Sequence, residues 1–402
     1  MKKFTSAETA NDYIIRRVDS VVKNRTVHLK KGITLSMSVT RLADNTFTNT
    51  YDVQYDPTKV ALRIGLNNER TSLYDVLRSD NHLLVASSGG FSYLTDDPNI
   101  QPRHLSLNLA IQDGDVMSLP VIDREALLII NGQMSARFLR ATGTMEINGE
   151  NVTWSGSLTD HPADIKVYGN GNSVISHASD ESGSRRVLDE SSRFTPHISN
   201  GQVIDVGFIR QKGSTFISAA TSSTGMLDIF AFDIVLRCPK RIAADYIKMK
   251  VESMDSLPIN TTIQSAMSAG PLLTTANFES HLINRDASLG TNAPFANQRA
   301  ARMIIYETKN GMRHLRLLDG RPGSHIFPGV TPYEAVHIIN SDAEVVWGCF
   351  LDGGQTSKLC VRKRWAVNSF GNRHYINKVP EKQNIVWVPK TGRSLASIIT
   401  LN

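Results

Sequence analysis

Late in this chain two apolar runs stop at the same device, an aspartate followed directly by glycine: Leu317-Leu318-Asp319-Gly320 and Cys349-Phe350-Leu351-Asp352-Gly353-Gly354. An apolar or β-prone run that ends so abruptly reads as a buried strand with a carboxylate fixed where it stops. Gly353 and Gly354 carry no Cβ and reach φ > 0, so the backbone turns sharply there and a ligand can come close to its N–H groups. Thr356 and Ser357 then offer hydroxyls just beyond. Taken alone, the second segment has two readings: a hairpin turn in which Asp352 bonds only its own backbone, or a site.

Between the two runs Thr331 is an N-cap, Pro332 stands at the first helical position and Glu334 completes a capping box, which predicts a helix over 332–340. On that helix Glu334 is chiefly a capping residue and His337 a packing or surface histidine. Further upstream come Gly270-Pro271 and then Arg299-Ala300-Ala301-Arg302-Met303-Ile304, which places an arginine at the mouth of another strand.

Most of the remaining chain alternates apolar and polar residues in short runs broken by Gly, Asn, Asp and Ser. Strands are expected over 103–111, 125–131, 145–149, 203–210 and 230–237. Helices are fewer, and are expected over 7–24, 72–78, 240–253 and 259–269 besides 332–340. The fold class is therefore α+β, a β-rich mixed sheet domain with a few flanking helices. An N-terminal helix and lead-in strands are expected over 1–50 and a single domain over 51–402, with an insertion or mobile loop at the polar stretch 179–192.

With 402 residues, 41% hydrophobic and 20% charged, the chain can bury a large core. A net charge of +6 is mild for this length. Its densest basic run, Arg362-Lys363-Arg364 beside Trp365, reads as a solvated strand end, and stacking aromatics at regular intervals are lacking, so no nucleic-acid partner is expected. There is no apolar run long enough to span a bilayer, and the Met1-Lys2-Lys3 start has no apolar segment behind it, so no membrane partner and a cytoplasmic setting are expected. Cys238, Cys349 and Cys360 lack metal-like spacing and are expected as reduced thiols, with a disulfide between Cys349 and Cys360 left open. Neither a Gly-X-Ser-X-Gly elbow nor a His-Glu-X-X-His zinc motif is present.

In order, Ser88-Gly89-Gly90-Phe91, Gly270-Pro271, Arg299-Ala300, Asp319-Gly320-Arg321, the capped 331–339 segment and Leu351-Asp352-Gly353-Gly354-Gln355-Thr356-Ser357 resemble the motifs of the phosphodiester glycosidase family. That family comprises N-acetylglucosamine-1-phosphodiester α-N-acetylglucosaminidase and bacterial relatives labelled exopolysaccharide proteins. The resemblance is tight over 265–361 and looser over 51–114. It departs at Ser88, where the family has Asn, at Ala300, where it has Thr, and at Gln355, where it has a third Gly. A lost amide or hydroxyl changes which ligand groups can be bonded, so these departures bear on specificity and on turnover itself.

The resemblance implies a hydrolase that cleaves the bond between a sugar, or a ribosyl group, and a phosphate ester. Such a bond breaks with oxocarbenium character and releases a weakly basic anion, so the site needs cationic donors for phosphate and a carboxylate near the anomeric carbon. Asp352 and Asp319 are the expected catalytic carboxylates, and His325 is the acid–base candidate. Asp319 has a second reading, as a partner of Arg321 or a turn cap. Arg299 and Arg321 offer forked donors that match phosphate oxygens. Ser88, Gly89, Gly90, Arg103, Gly353, Gly354, Thr356 and Ser357 complete the expected substrate contacts. The ligand is expected to be a sugar phosphodiester or a nucleotide-derived molecule. No cofactor is expected, and a divalent cation is left open. The alternative is a noncatalytic relative that binds a sugar phosphate or glycan.

Overall fold

A computed structural model describes residues 24–66, 72–93, 105–106, 109–120, 123–140, 142–156, 163–168, 187–188, 203–212, 215–222, 227–228, 232–239, 246–248, 263–273, 298–320, 324–371, 376–378, 385–387, 395 and 397–402. Strands dominate, and the described residues hold two α-helices, Leu73–Ser79 and Pro332–Asp342. The fold is the α+β, mixed-sheet class that the alternation predicts.

Local turn chemistry sets much of the strand pairing. Asp113-Gly114, Asn131-Gly132 and Asn148-Gly149 all have positive φ at both residues. Each closes a two-residue hairpin, between Gln112 and Asp115, Ile130 and Gln133, and Ile147 and Glu150. This is the turn whose twist matches that of the flanking strands.

The central sheet runs in the order Arg25–Lys30, Ile33–Arg41, Phe47–Tyr55, Arg313–Asp319, Arg302–Thr308 and Val345–Phe350, antiparallel throughout. Phe47–Tyr55 crosses residue 50 and is paired along both edges, so the lead-in strands share one sheet with both Asp-Gly strands. Ala335 and Ile339 of the Pro332–Asp342 helix cover one face, against Ile304, Leu318 and Phe350. Its other face packs Val53, Met303, Leu315 and Cys349 onto two further sheets, through Leu127 and Met267 of one and Val85, Leu359 and Ile399 of the other.

The second sheet has the order Gln133–Leu139, Arg124–Ile130, Ile263–Ser268, Ala110–Gln112, Asp115–Ser118. The third has the order Ala366–Phe370, Leu359–Lys363, Val85–Ser88, Ser397–Leu401, Leu62–Leu66. Leu73 and Leu77 of the short helix close the outer face of the third sheet against Ala86, Cys360 and Ile398. The far face of the second sheet joins the core of a closed seven-stranded barrel, filled by Trp154, Val167, Phe208, Phe216 and Leu236.

One expected helix is a strand, and a second is a strand over its three described residues. Ile263–Ser268 is the middle strand of the second sheet, paired on both edges, although Ile263, Ala266 and Met267 carry helical spacing. Pairing with two neighbours that bury both faces overrides that local period. Tyr246–Lys248 pairs into the barrel where a helix over 240–253 was expected. The expected 7–24 helix lies outside the described residues except for Asn24, and so does the 179–192 loop except for the strand Val187–Leu188. All three cysteines are free and buried. No helix among the described residues is long and apolar enough to cross a membrane.

Candidate active site

Past Phe350 the chain continues as Leu351-Asp352 and is fixed from two sides: Leu351 N donates to Met303 O at 2.8 Å and Asp352 N donates to Gly89 O at 2.9 Å. Gly270 N donates to Phe350 O at 2.7 Å, Phe350 N donates to Pro271 O at 3.1 Å, and Ala269 N donates to Glu125 O at 3.0 Å. Segments 88–90, 270–271 and 351–353, far apart in sequence, therefore meet at one point. Asp352 Oδ1 accepts from Gly353 N at 2.9 Å, as the turn reading requires. The simple hairpin reading fails, however, because Val345–Phe350 and Leu359–Lys363 belong to different sheets.

The glycines serve backbone packing. A Cβ on Gly90 would lie 2.2 Å from Ser268 O, and one on Gly89 would lie 2.7 Å from the backbone of Ser397. Their N–H groups were expected to face a ligand and instead face the protein. Gly89 N donates to Ser397 O at 3.1 Å and Gly354 N to Ala301 O at 2.8 Å, while Gly90 N meets Met267 Sδ at 3.1 Å. The hydroxyls behave likewise: Ser88 Oγ accepts from Lys358 N, Thr356 Oγ1 donates to Gly353 O and Ser357 Oγ donates to Ala301 O. These residues build the floor of the site.

Both Asp-Gly ends lie on one rim. Their strands flank Arg302–Thr308 and run antiparallel to it, so both end at its start, where Leu318 pairs with Arg302 and Phe350 with Ile304. Two strand spacings put the backbones of Asp319 and Asp352 about 10 Å apart. Both side chains are half-buried. The glycine after Asp319 has a packing cause: a Cβ on Gly320 would lie 2.0 Å from Gly329 N. Gly320→Ala is therefore expected to lower stability by about 3 kcal/mol through overpacking, read as a lower urea midpoint.

Arg299 is placed differently from the sequence reading. Its guanidinium bonds both oxygens of Glu334, Asp44 Oδ2 at 2.6 Å and Thr46 Oγ1 at 3.1 Å. Glu334 in turn accepts from Thr331 N at 2.9 Å, closing the capping box. Burial opposes ionisation of Asp44, but hydrogen bonds from Arg299 and Thr46 outweigh it and bring its pKa down to about 2. Arg299 is thus a brace between the helix start and the Asp44 turn. Arg299→Met is expected to cost about 1 kcal/mol in this partly exposed network, read as a small fall in the urea midpoint. His325 is exposed, and Arg103 and Arg321 lie outside the described residues.

The arginine that sequence reading missed is Arg124. It opens the Arg124–Ile130 strand, is buried, and stacks 4.1 Å above the Phe91 ring. None of its three guanidinium nitrogens has a hydrogen-bond partner. Burial pushes its pKa down to about 10, with the charges of Glu125 and Asp352 acting against that fall, so it stays cationic at neutral pH. The only signal in sequence is an Arg-Glu pair opening an apolar run.

Among the described residues no cluster of His, Cys, Asp and Glu is placed to hold a metal ion. A cleft of about 350 Å³ opens at the opposite end of the central sheet, lined by His28, Lys30, Lys31, Gln54 and Met312, and holds none of the expected site residues.

No family model matches the chain, and no curated protein matches it. Solved structures do. A hypothetical protein from Synechocystis is 16% identical at a TM-score of 0.54, with 94% of this chain and 63% of that one covered. A candidate exported protein from Burkholderia pseudomallei is 16% identical at 0.53, covering 89% and 74%. The catalytic domain of zebrafish N-acetylglucosamine-1-phosphodiester α-N-acetylglucosaminidase, auto-inhibited by its pro-peptide, is 12% identical at 0.40, covering 96% and 92%. The chain spans less than two thirds of the length of the Synechocystis protein. At 16% identity the likeness to the Synechocystis and Burkholderia proteins is one of fold alone.

Proposed function

We propose that the chain is a hydrolase that cleaves the glycosidic bond between a sugar, or a ribosyl group, and a phosphate ester. The observation that carries this reading is the meeting of segments 88–90, 270–271 and 351–353 at one rim, with a second Asp-Gly end across a single strand. Asp352 supplies the carboxylate at the anomeric carbon. A two-strand separation from Asp319 leaves room for a water between the carboxylates, the arrangement of inverting hydrolysis. Because a phosphate ester departs as a weakly basic anion, the site needs little acid catalysis and the exposed His325 is dispensable.

A second reading, a noncatalytic sugar-phosphate binder, has its own support: the hydroxyls of Ser88, Thr356 and Ser357 are engaged with backbone and Ala300 brings none. A panel of sugar-1-phosphodiesters and nucleotide sugars, assayed for sugar release with and without chelator, separates the two. Turnover by the wild type supports the hydrolase. Binding of several panel members in a thermal shift with no turnover establishes the binder.

A further inference from the structure

Arg124 stands apart from the other buried arginines of known geometry. Arg237 is held bidentately by Asp205 at 2.6 and 2.7 Å, and Arg316 is held by Asp52 at 3.0 Å and Asp342 at 2.5 Å. Arg124 lies over the face of Phe91 with none of its guanidinium nitrogens hydrogen-bonded. A cation stacked on a ring keeps its N–H edges free, because those donors lie in the guanidinium plane. The charges of Glu125 and Asp352 act on it, yet none of its N–H donors is hydrogen-bonded, and buried donors left without an acceptor are costly, so they stand open to an oxygen ligand.

A second unsatisfied group lies beside it. Ala126 pairs directly with Ser268, and Arg124 shares the face of Ala126, so Arg124 and Ser268 are diagonal neighbours on one face of the second sheet. Ser268 Oγ is buried without a hydrogen-bond partner. The peptide oxygen of the same serine is the atom that excludes a side chain at Gly90, which puts this end of the strand against the floor described above.

We infer that Arg124 and Ser268 form a receptor for a singly charged oxyanion, the phosphodiester group of the ligand, beside Asp352. Naming the anion as a phosphodiester rests on the function proposed above, whereas the receptor itself does not. Guanidinium and hydroxyl together present the donors that a tetrahedral oxyanion accepts. Asp352, whose charge already acts on Arg124, repels a second negative charge and so selects a monoanion over a dianion.

The test is a phosphorus NMR titration of the wild type at pH 8 with dimethyl phosphate, inorganic phosphate and trimethyl phosphate, which are a monoanion, a dianion and a neutral isostere. The expected order of affinity is monoanion, then dianion, with the neutral ester weaker than the monoanion by at least about tenfold. That comparison needs no variant. Arg124→Gln is expected to weaken dimethyl phosphate by at least about tenfold and Ser268→Ala by several-fold, with Arg299→Met unchanged. Equal affinity for the neutral ester, absence of saturable binding by the monoanion, or full binding by folded Arg124→Gln overturns the receptor. Oxyanion binding through Arg124 without cleavage of any diester leaves the receptor standing and removes the hydrolase. Cleavage with an unchanged KM in Arg124→Gln does the reverse.

Discussion

Asp352→Asn is expected to lower kcat by about a thousandfold, the scale of losing a positioned acid–base or nucleophilic group. The substitution suits the question because it preserves local geometry. Asp352 Oδ1 accepts from Gly353 N, and the backbone on either side is fixed by Gly89 O and Met303 O. An amide oxygen can accept the same bond, so the turn keeps its shape and the melting temperature stays within a few degrees. Substrate binding persists while turnover stops. A variant that retains full kcat would remove Asp352 from the chemistry and reduce the segment to a turn.

Arg316→Met is expected to have the largest effect on stability, a loss of about 3 to 5 kcal/mol, as when one member of a buried ion pair is removed. Asp52, His314 and Arg316 form a buried cluster at the helix-covered face of the central sheet. Asp52 Oδ2 lies 3.0 Å from both Arg316 Nη2 and His314 Nδ1, and the His314 ring stacks on Tyr306 at 4.6 Å. Methionine would leave Asp52 buried with the imidazole as its remaining partner.

The same cluster predicts a pH dependence. Burial opposes ionisation of Asp52, yet Arg316 and His314 outweigh it and hold its pKa below the ordinary 3.8. A carboxylate depressed in the native state contributes stability that is present above its unfolded pKa and lost as pH falls through the native one. Urea midpoints from pH 7 to 3 are therefore expected to fall only at the acid end for the wild type. In Arg316→Met the main cause of that depression is gone, so the acid-end fall is expected to be smaller than in the wild type.

What was legible in the sequence is what local chemistry controls. Thr331, Pro332 and Glu334 specify their helix start within four residues, and the structure realises the full capping box. The 72–78 helix is likewise set by its cap, with Ser72 Oγ accepting from Asp75 N. The paired Asp-Gly ends were legible as strand ends because an apolar run followed by aspartate and glycine has few other solutions. The 259–269 segment misled because its apolar spacing suits a helix, while its conformation is decided by the two strands it lies between.

The site divided along the same line. Arg299 reads as a phosphate donor only until Asp44, 255 residues away in sequence, and Glu334 close around it. For Arg124 the opposite holds. An arginine at a strand start is ordinarily solvated or hydrogen-bonded, whereas Arg124 is buried over Phe91 and feels the charge of Asp352, both of which the fold alone brings near.

The most direct test of the hydrolase assignment is the position of cleavage, followed by mass spectrometry of the products of a sugar-1-phosphodiester hydrolysed in oxygen-18 water. The label is expected in the released sugar, with the phosphate ester unlabelled, because water adds at the anomeric carbon. Label in the phosphate would mean attack at phosphorus and a phosphodiesterase, and would contradict the glycosidase account of this rim.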